Sequence, residues 1–291
     1  MEASVEFRRY QDVTRGTDQR PANELSDIAV HLLGLAGEAG SVASQYKKYL
    51  RDGPAHSWWK ARMREELGDV LWYVSAIASH LDLDLDEIAR ANLEKTRGRW
   101  LGQAADSLDS NYPELERLPR SGRYDFRPTV SDTGRPAVTL WFQGQQIGDQ
   151  LTDASHIADG YRSHDVFHLA YAVLLGWSPV TRALLKRKRK SNPATDENED
   201  GGRAVVVEEG VAALVFAYAT QHAMLEGVTR LDQRLLETIE LLVGATEVGV
   251  RTQAQWEKAI LAGFGAFRSL SSAGSGAVIF DADAGTFEVV K

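Results

Sequence analysis

Carboxylates three residues apart in helical stretches are the first feature of this 291-residue sequence with the makings of chemistry. Glu66 and Asp69 form one such pair, and Glu38 with Ser41 repeats the spacing upstream. Residues i and i+3 share one face of a helix, so each pair points in one direction. Glu66 and Asp69 immediately precede the apolar positions Leu67 and Val70, as Glu38 and Ser41 precede Ala39 and Val42. An equal offset from two apolar seams lets the two polar faces converge at the edge of a helix–helix interface. Converging carboxylates repel one another unless protons or cations neutralise them. Hard oxygen donors suit Mg²⁺ or Mn²⁺, and magnesium keeps several waters and also binds substrate phosphates. Acidic residues three apart also decorate solvated helix faces, so an E-x-x-D pair alone does not define a metal centre.

A second group lies downstream. His164 and His168 stand at i, i+4 on an expected helix, a spacing that can place two imidazoles on one metal. Asp165 follows the first histidine, and Glu208 and Glu209, on a later helix, are candidates to complete the set. The competing role is a buried polar network of the histidines with Asp165 or Glu208.

The elements needed to position these side chains are legible in the apolar spacing. Ile28, Leu32, Leu35, Ala39, Val42, Tyr46 and Tyr49 recur in steps of four and three, predicting one helix from a cap at Asn23 or Ser26 to about Leu50. Asp52-Gly53-Pro54 stops it. Met63, Leu67, Val70, Val74, Ile77 and Leu81 predict a second helix over about 58–80. Asp84 with Glu87 forms a capping box for a third, ending near Trp100, and a short helix is expected over about 4–14. Residues 1–104 thus read as an all-α bundle. Prolines 113, 119, 128 and 136 suggest a linker over 105–136. A second domain, 137–291, is expected to be mostly helical with a small β element: a strand at Val138–Phe142, a short one near Ile147, and a C-terminal hairpin over 278–290 that would join them. Ser178-Pro179 predicts a helix start. The basic run Lys186–Lys190 and the acidic Asp196–Asp200 read as a mobile, self-compensating solvated loop.

Composition narrows the chemistry. There is no cysteine, which excludes disulfides, thiolate metal sites and a cysteine nucleophile. No apolar run approaches the roughly 18 residues of a membrane span, and the charged start lacks a signal-peptide core, so a cytoplasmic protein is expected. A net charge of −8 argues against a large nucleic-acid footprint, while a local metal still permits a small anionic substrate.

Taken together, Gly34-Leu-Ala-Gly-Glu-Ala-Gly40, Lys47-Lys48, Glu65-Glu-Leu-Gly-Asp-Val-Leu-Trp-Tyr73, Asn92-Leu-Glu-Lys95 and Arg97/Arg99 closely resemble the MazG-like all-α nucleoside triphosphate pyrophosphohydrolases over about residues 24–100. The resemblance implies a four-helix core assembled as a homodimer or larger homo-oligomer, and Mg²⁺-dependent cleavage of an NTP or dNTP to NMP and pyrophosphate. It makes Glu38, Glu66 and Asp69 the metal-binding and catalytic carboxylates. Lys47, Lys48, Asn92, Lys95 and Arg99 become substrate-binding residues, the cations neutralising the leaving pyrophosphate. Asn92 also falls near its helix's apolar stripe, where a buried amide needs a partner. For the base, Trp58, Trp59, Trp72, Tyr73 and His31 are candidates for stacking or edge contact, with core filling as the alternative for each. The family pattern has a carboxylate at position 41, where this chain has serine. Losing that charge weakens support for a second metal ion and raises a rival role, a nucleotide-binding sensor with little turnover. Leu174-Leu-Gly-Trp-Ser-Pro-Val180, the basic run and Asp200-Gly-Gly-Arg203 look like the C-terminal domain fused to some MazG-like proteins, a resemblance that supplies no role for it. A metal hydrolase built on His164 and His168 is a third option.

Overall fold

The computed structural model describes residues 6–19, 25–100 and 105–290. They fall into two compact units, Met1–Arg97 and Gly98–Lys291.

The first unit holds α1 (Phe7–Arg15), α2 (Leu25–Asp52), α3 (Trp59–His80) and most of α4 (Leu85–Trp100), which crosses the unit boundary. Asn23 and Ser4 lie outside the described residues, as does the side chain of Ser26. The chain leaves α2 through Gly53, whose φ of +56° is easy for glycine, and Pro54 follows it. At the start of α4, Asp84 Oδ1 accepts hydrogen bonds from the backbone N–H groups of Asp86 (2.8 Å) and Glu87 (3.2 Å), as the sequence predicts for a cap.

Helices α2 and α3 run antiparallel, with His31 beside His80, Gly34 against Tyr73 and Gln45 bonded to Glu66. A Cβ on Gly34 would stand 2.3 Å from the Tyr73 ring, so glycine is what lets that ring approach. Gln11 ties α1 to the α3–α4 turn: its amide donates to Ser79 Oγ and the Leu83 carbonyl, and its Oε1 accepts from Leu85 N. The bundle is open. Among the described residues α4 makes few contacts with α2 or α3, and Leu33, Leu67 and Leu93 remain 74%, 51% and 52% exposed.

The second unit contains β1 (Ser121–Val130), β2 (Pro136–Phe142), β3 (Gln145–Leu151), α5 (Asp165–Leu174), α6 (Pro179–Leu184), α7 (Pro193–Asn198), α8 (Gly202–Thr220), α9 (Gln233–Val243), α10 (Gln253–Ala273), β4 (Gly276–Asp281) and β5 (Thr286–Val290). The five strands form one antiparallel sheet in the order β3-β2-β1-β4-β5. Tyr124, Phe142 and Phe280 pack ring to ring on its covered face. Every residue of α5 is buried, and α10 lies close along it, with Phe167 stacked on Phe264 at 4.4 Å.

Three expectations are corrected here. The segment 105–136, read as a linker, carries β1, the central strand. Its Pro128 is tolerated because β4 pairs only with Ser121–Phe126, leaving the far half of β1 an open edge where a missing N–H costs little. The C-terminal hairpin joins the sheet through β1 and not through the strand at residue 140. The segment 186–202 is no mobile solvated loop. Asn192 and Pro193 start α7, and Arg189 is fully buried against Asp200 and Glu247, each with oxygens 2.6 Å from its Nη2. Arg182 pairs with Asp109 at 2.6 Å, and Arg187 donates to the carbonyls of Glu114 and Arg117. Of the two charged runs, Arg189 and Asp200 cancel inside the core, while Lys186, Lys190 and Glu197 remain exposed.

Candidate active site

The antiparallel crossing of α2 and α3 brings the predicted carboxylates together. Glu38, Glu66 and Asp69 each place an oxygen within 4.8 Å of the other two. Among the described residues no lysine or arginine forms an ion pair with any of them. The Glu38 carboxyl is consequently pushed above the usual carboxylate range, by desolvation, by the charges of Asp69 and Glu66, and by a hydrogen bond with Glu66. Three uncompensated oxygen donors converging from two helices fit a hard divalent cation such as Mg²⁺.

Two contributors escape the E-x-x-D pattern. The buried amide of Gln45 donates to Glu66 Oε1 at 3.0 Å. It lies seven residues after Glu38, two turns along the same helix face, which is the only signal that pointed to it. Tyr10, on α1, has its phenol pKa raised by burial and by the charge of Asp69, which places α1 beside the centre.

Other predicted residues are distributed more widely. Lys47 and Lys48 are exposed on α2, while Asn92 and Lys95 are exposed on α4, so the buried amide expected at Asn92 is not found within one chain. Arg99 lies in the second unit, its guanidinium bonded to Glu257 Oε2, Gln233 Oε1 and the Leu231 carbonyl. Those bonds use three of its five N–H donors. Trp72 donates its indole N–H to Thr17 Oγ1 and stacks on His31, with ring centroids 5.8 Å apart. His31 is buried in a cluster not foreseen in the sequence. Its Nδ1–H donates to the Asp27 carbonyl, and Nε2 faces Asp18 Oδ1 at 3.2 Å, while His80 Nε2 meets the other oxygen of Asp18 at 3.0 Å. Trp59 stacks on Tyr49 at 4.4 Å, Tyr73 packs against Gly34, and Trp58 is 76% exposed.

In the second unit His164, Asp165 and His168 also present ligand atoms within 4.8 Å of one another, and His168 is bonded to Glu208. Burial opposes a proton on His168, but the Glu208 carboxylate outweighs it and raises the ring's pKa to about 9.

Comparison with known proteins accounts for both units. Residues 29–100 match the model of the MazG nucleotide pyrophosphohydrolase domain, and residues 103–291 match that of the MazG C-terminal domain. Gene 37 protein of Mycobacterium phage L5 is 42% identical over 79 residues, which cover 26% of this chain and 69% of that protein. Human dCTP pyrophosphatase 1 is 32% identical over 88 residues, 29% of this chain and 52% of that protein, so the match spans about half of that relative. The mouse protein of the same name is 32% identical over 91 residues, 30% of this chain and 53% of its own length. No solved structure matches the chain significantly. The chain belongs to the MazG-like nucleoside triphosphate pyrophosphohydrolases, its catalytic helical domain followed by a MazG C-terminal domain.

Proposed function

We propose that Glu38, Glu66 and Asp69 form the centre of a Mg²⁺-dependent hydrolase that cleaves a nucleoside triphosphate between its α and β phosphates, releasing NMP and pyrophosphate. The convergence of three unpaired carboxylates at the α2–α3 crossing is the observation that carries it. Bound Mg²⁺ supplies Lewis-acid polarisation of a phosphoryl oxygen and a more acidic bound water. The chain's own residues do the rest. Glu38, Glu66 and Asp69 would hold the ion, and Gln45 fixes the Glu66 carboxylate. Lys47 and Lys48, exposed six and seven residues beyond Ser41 on α2, would neutralise departing phosphate charge. Trp72, stacked on the buried His31, offers an aromatic face for a base.

Assembly is part of the same reading. The open seam includes Leu32, Leu33, Tyr46, Leu67, Ile88 and Leu93, all exposed in one chain. Burying each such side chain is worth about 1.5–3 kcal/mol, which favours a second copy of the chain over solvent as their neighbour. A partner's α4 would then bring Asn92 and Lys95 to the carboxylates. Among the described residues no helix is long and apolar enough to cross a membrane, and a nucleotide-pool enzyme of this kind would act in the cytoplasm.

The test is a panel of the eight common NTPs and dNTPs with Mg²⁺, products separated by ion exchange, with dCTP first because of the relatives' name. NMP plus pyrophosphate is expected, and Asp69→Ala should abolish it; NDP plus phosphate, or full activity in that variant, would refute the assignment. Ser41 favours a second reading, a nucleotide sensor that binds and hardly turns over. Ser41→Glu decides: a large gain in rate would show that the natural centre is attenuated, and an unchanged rate that three carboxylates suffice.

A further inference from the structure

The residues around His164 take no part in the carboxylate centre, and their geometry is that of a built site. The Nδ1–H of His164 donates to the Tyr161 carbonyl at 2.9 Å, and the Tyr161 ring stacks on the imidazole with centroids 4.4 Å apart. That bond leaves Nε2 as the ring's coordinating nitrogen, and the stack fixes the plane in which it points. His168 is fixed from its other side. Its Nδ1 donates to Glu208 Oε1 at 2.9 Å, and Glu208, itself fully buried, is held by Ser178 Oγ at 2.6 Å and by the backbone N–H of Val180 at 2.8 Å. A carboxylate anchoring one ring nitrogen while the other faces a site is the arrangement that orients metal-bound histidines and raises their basicity.

The second observation is an orphan. His168 Nε2 is fully buried and has no hydrogen-bond partner among the described residues. A buried polar atom left unpaired costs about 1–3 kcal/mol, so the surrounding fold is paying for something at that position. Its nearest charged neighbour is Glu209 Oε2 at 3.6 Å, and His164 Nε2 stands 3.6 Å from Asp165 Oδ1. Both separations are long for hydrogen bonds. They are close to the ligand–ligand edge of about 3.3 Å in a tetrahedron with metal–ligand distances of about 2.0 Å.

We propose that the second unit holds one Zn²⁺-class transition-metal ion on His164 Nε2, His168 Nε2 and Asp165, with Glu209 as the fourth ligand on the solvent side. Asp165 and the two histidines already lie within 4.8 Å of one another, so binding needs only local closure. The donor set separates this ion from the first: two imidazoles and two carboxylates favour zinc over magnesium, whereas the all-oxygen set of Glu38, Glu66 and Asp69 favours the reverse. Glu209 is half exposed while the other three ligands are largely buried, which gives the ion one face open to exchange and to a phosphate or carboxylate group. The competing occupant is a proton on Nε2 shared with Glu209.

The experiment uses the full chain, loaded with Zn²⁺, dialysed against a weak chelator and assayed for metal by elemental analysis. Asp69→Ala, which disables the carboxylate centre, should retain the zinc, and His164→Ala should lose one equivalent. Since Asp18, His31 and His80 offer another donor cluster, His80→Ala is run in parallel and should leave that equivalent in place. His168 is buried deeply enough that its variants risk misfolding, so Glu209→Gln, at a half-exposed position, provides the folded control. It should weaken zinc affinity about tenfold with an unchanged circular dichroism spectrum, and Co²⁺ in the wild-type site should give the intense visible bands of tetrahedral coordination. No retained zinc, or zinc that follows His80 or Asp69 and ignores His164 and Glu209, would overturn the assignment. Failure of the pyrophosphohydrolase would instead appear in the Mg²⁺-dependent product assay, with the zinc content untouched.

Discussion

Gln45 offers the sharpest test of how the carboxylate centre is held. Its amide gives Glu66 a hydrogen bond of 3.0 Å from a buried position, and the other described hydrogen-bond partner of that carboxylate is the Glu38 carboxyl. A hydrogen bond to a charged group is worth about 1.5–3 kcal/mol, or one to two decades in an equilibrium constant. Glu66 is only partly buried, which pushes the expectation towards the lower figure. Loss of an outer partner of a metal-bound carboxylate costs about 10–100-fold in metal affinity, a range whose lower end agrees. Gln45→Ala should therefore raise the Mg²⁺ concentration giving half-maximal pyrophosphate release about tenfold, with kcat at saturating Mg²⁺ nearly unchanged. An unaltered Mg²⁺ dependence would mean that Gln45 does not position Glu66. A fall in kcat that excess Mg²⁺ cannot restore would mean that it acts on the substrate instead.

Two further outcomes concern the second unit. Asp200→Ala strips the fully buried Arg189 of one of its two carboxylates and should cost about 3–5 kcal/mol, read from urea unfolding of the full chain; a loss below about 1 kcal/mol would return this pair to the class of surface ion pairs. Asp109 titrates below its ordinary range, because Ser107, the Leu118 N–H and Arg182 together outweigh its burial. A depressed folded-state pKa contributes stability that is present above the unfolded value of about 3.9 and lost as pH falls through the folded one. The stability gap between wild type and Asp109→Asn should accordingly be constant near neutrality and shrink below about pH 4, whereas a gap that persists in acid would show that the charge is not what Asp109 contributes.

The helices that carry Glu38, Glu66 and Asp69 were legible because a period of about 3.6 leaves its mark in every turn. The convergence of these three side chains followed from their common offset to the seams, which needs no knowledge of the tertiary structure. Asp18, His31 and His80 were not legible as a group, since they come from three separate segments and share no spacing. Charge patterning misled most at 186–202. A basic run followed by an acidic one looks the same whether the two neutralise each other in water or underneath a helix, and only the arginine geometry of Arg182 and Arg189, each bonded to several fixed oxygens, tells the cases apart. Prolines misled at β1 for a related reason: Pro128 signals that an N–H is missing, but not whether the sheet needed one there.

The position of β1 also dictates an order of events during synthesis. The α2–α3 hairpin closes through neighbours that are near in the chain, whereas Ser121 pairs with Asp281, more than half of the 291 residues further on. Contacts that distant are slow to form, so the first unit can be complete while the central strand of the second still has one bare edge. Until β4 is made, the β1–β2 hairpin displays Tyr124 and Phe126 beside unpaired backbone groups, the combination that invites pairing with another nascent chain. The fusion therefore joins a domain that folds as it emerges to one that must wait for its last strands.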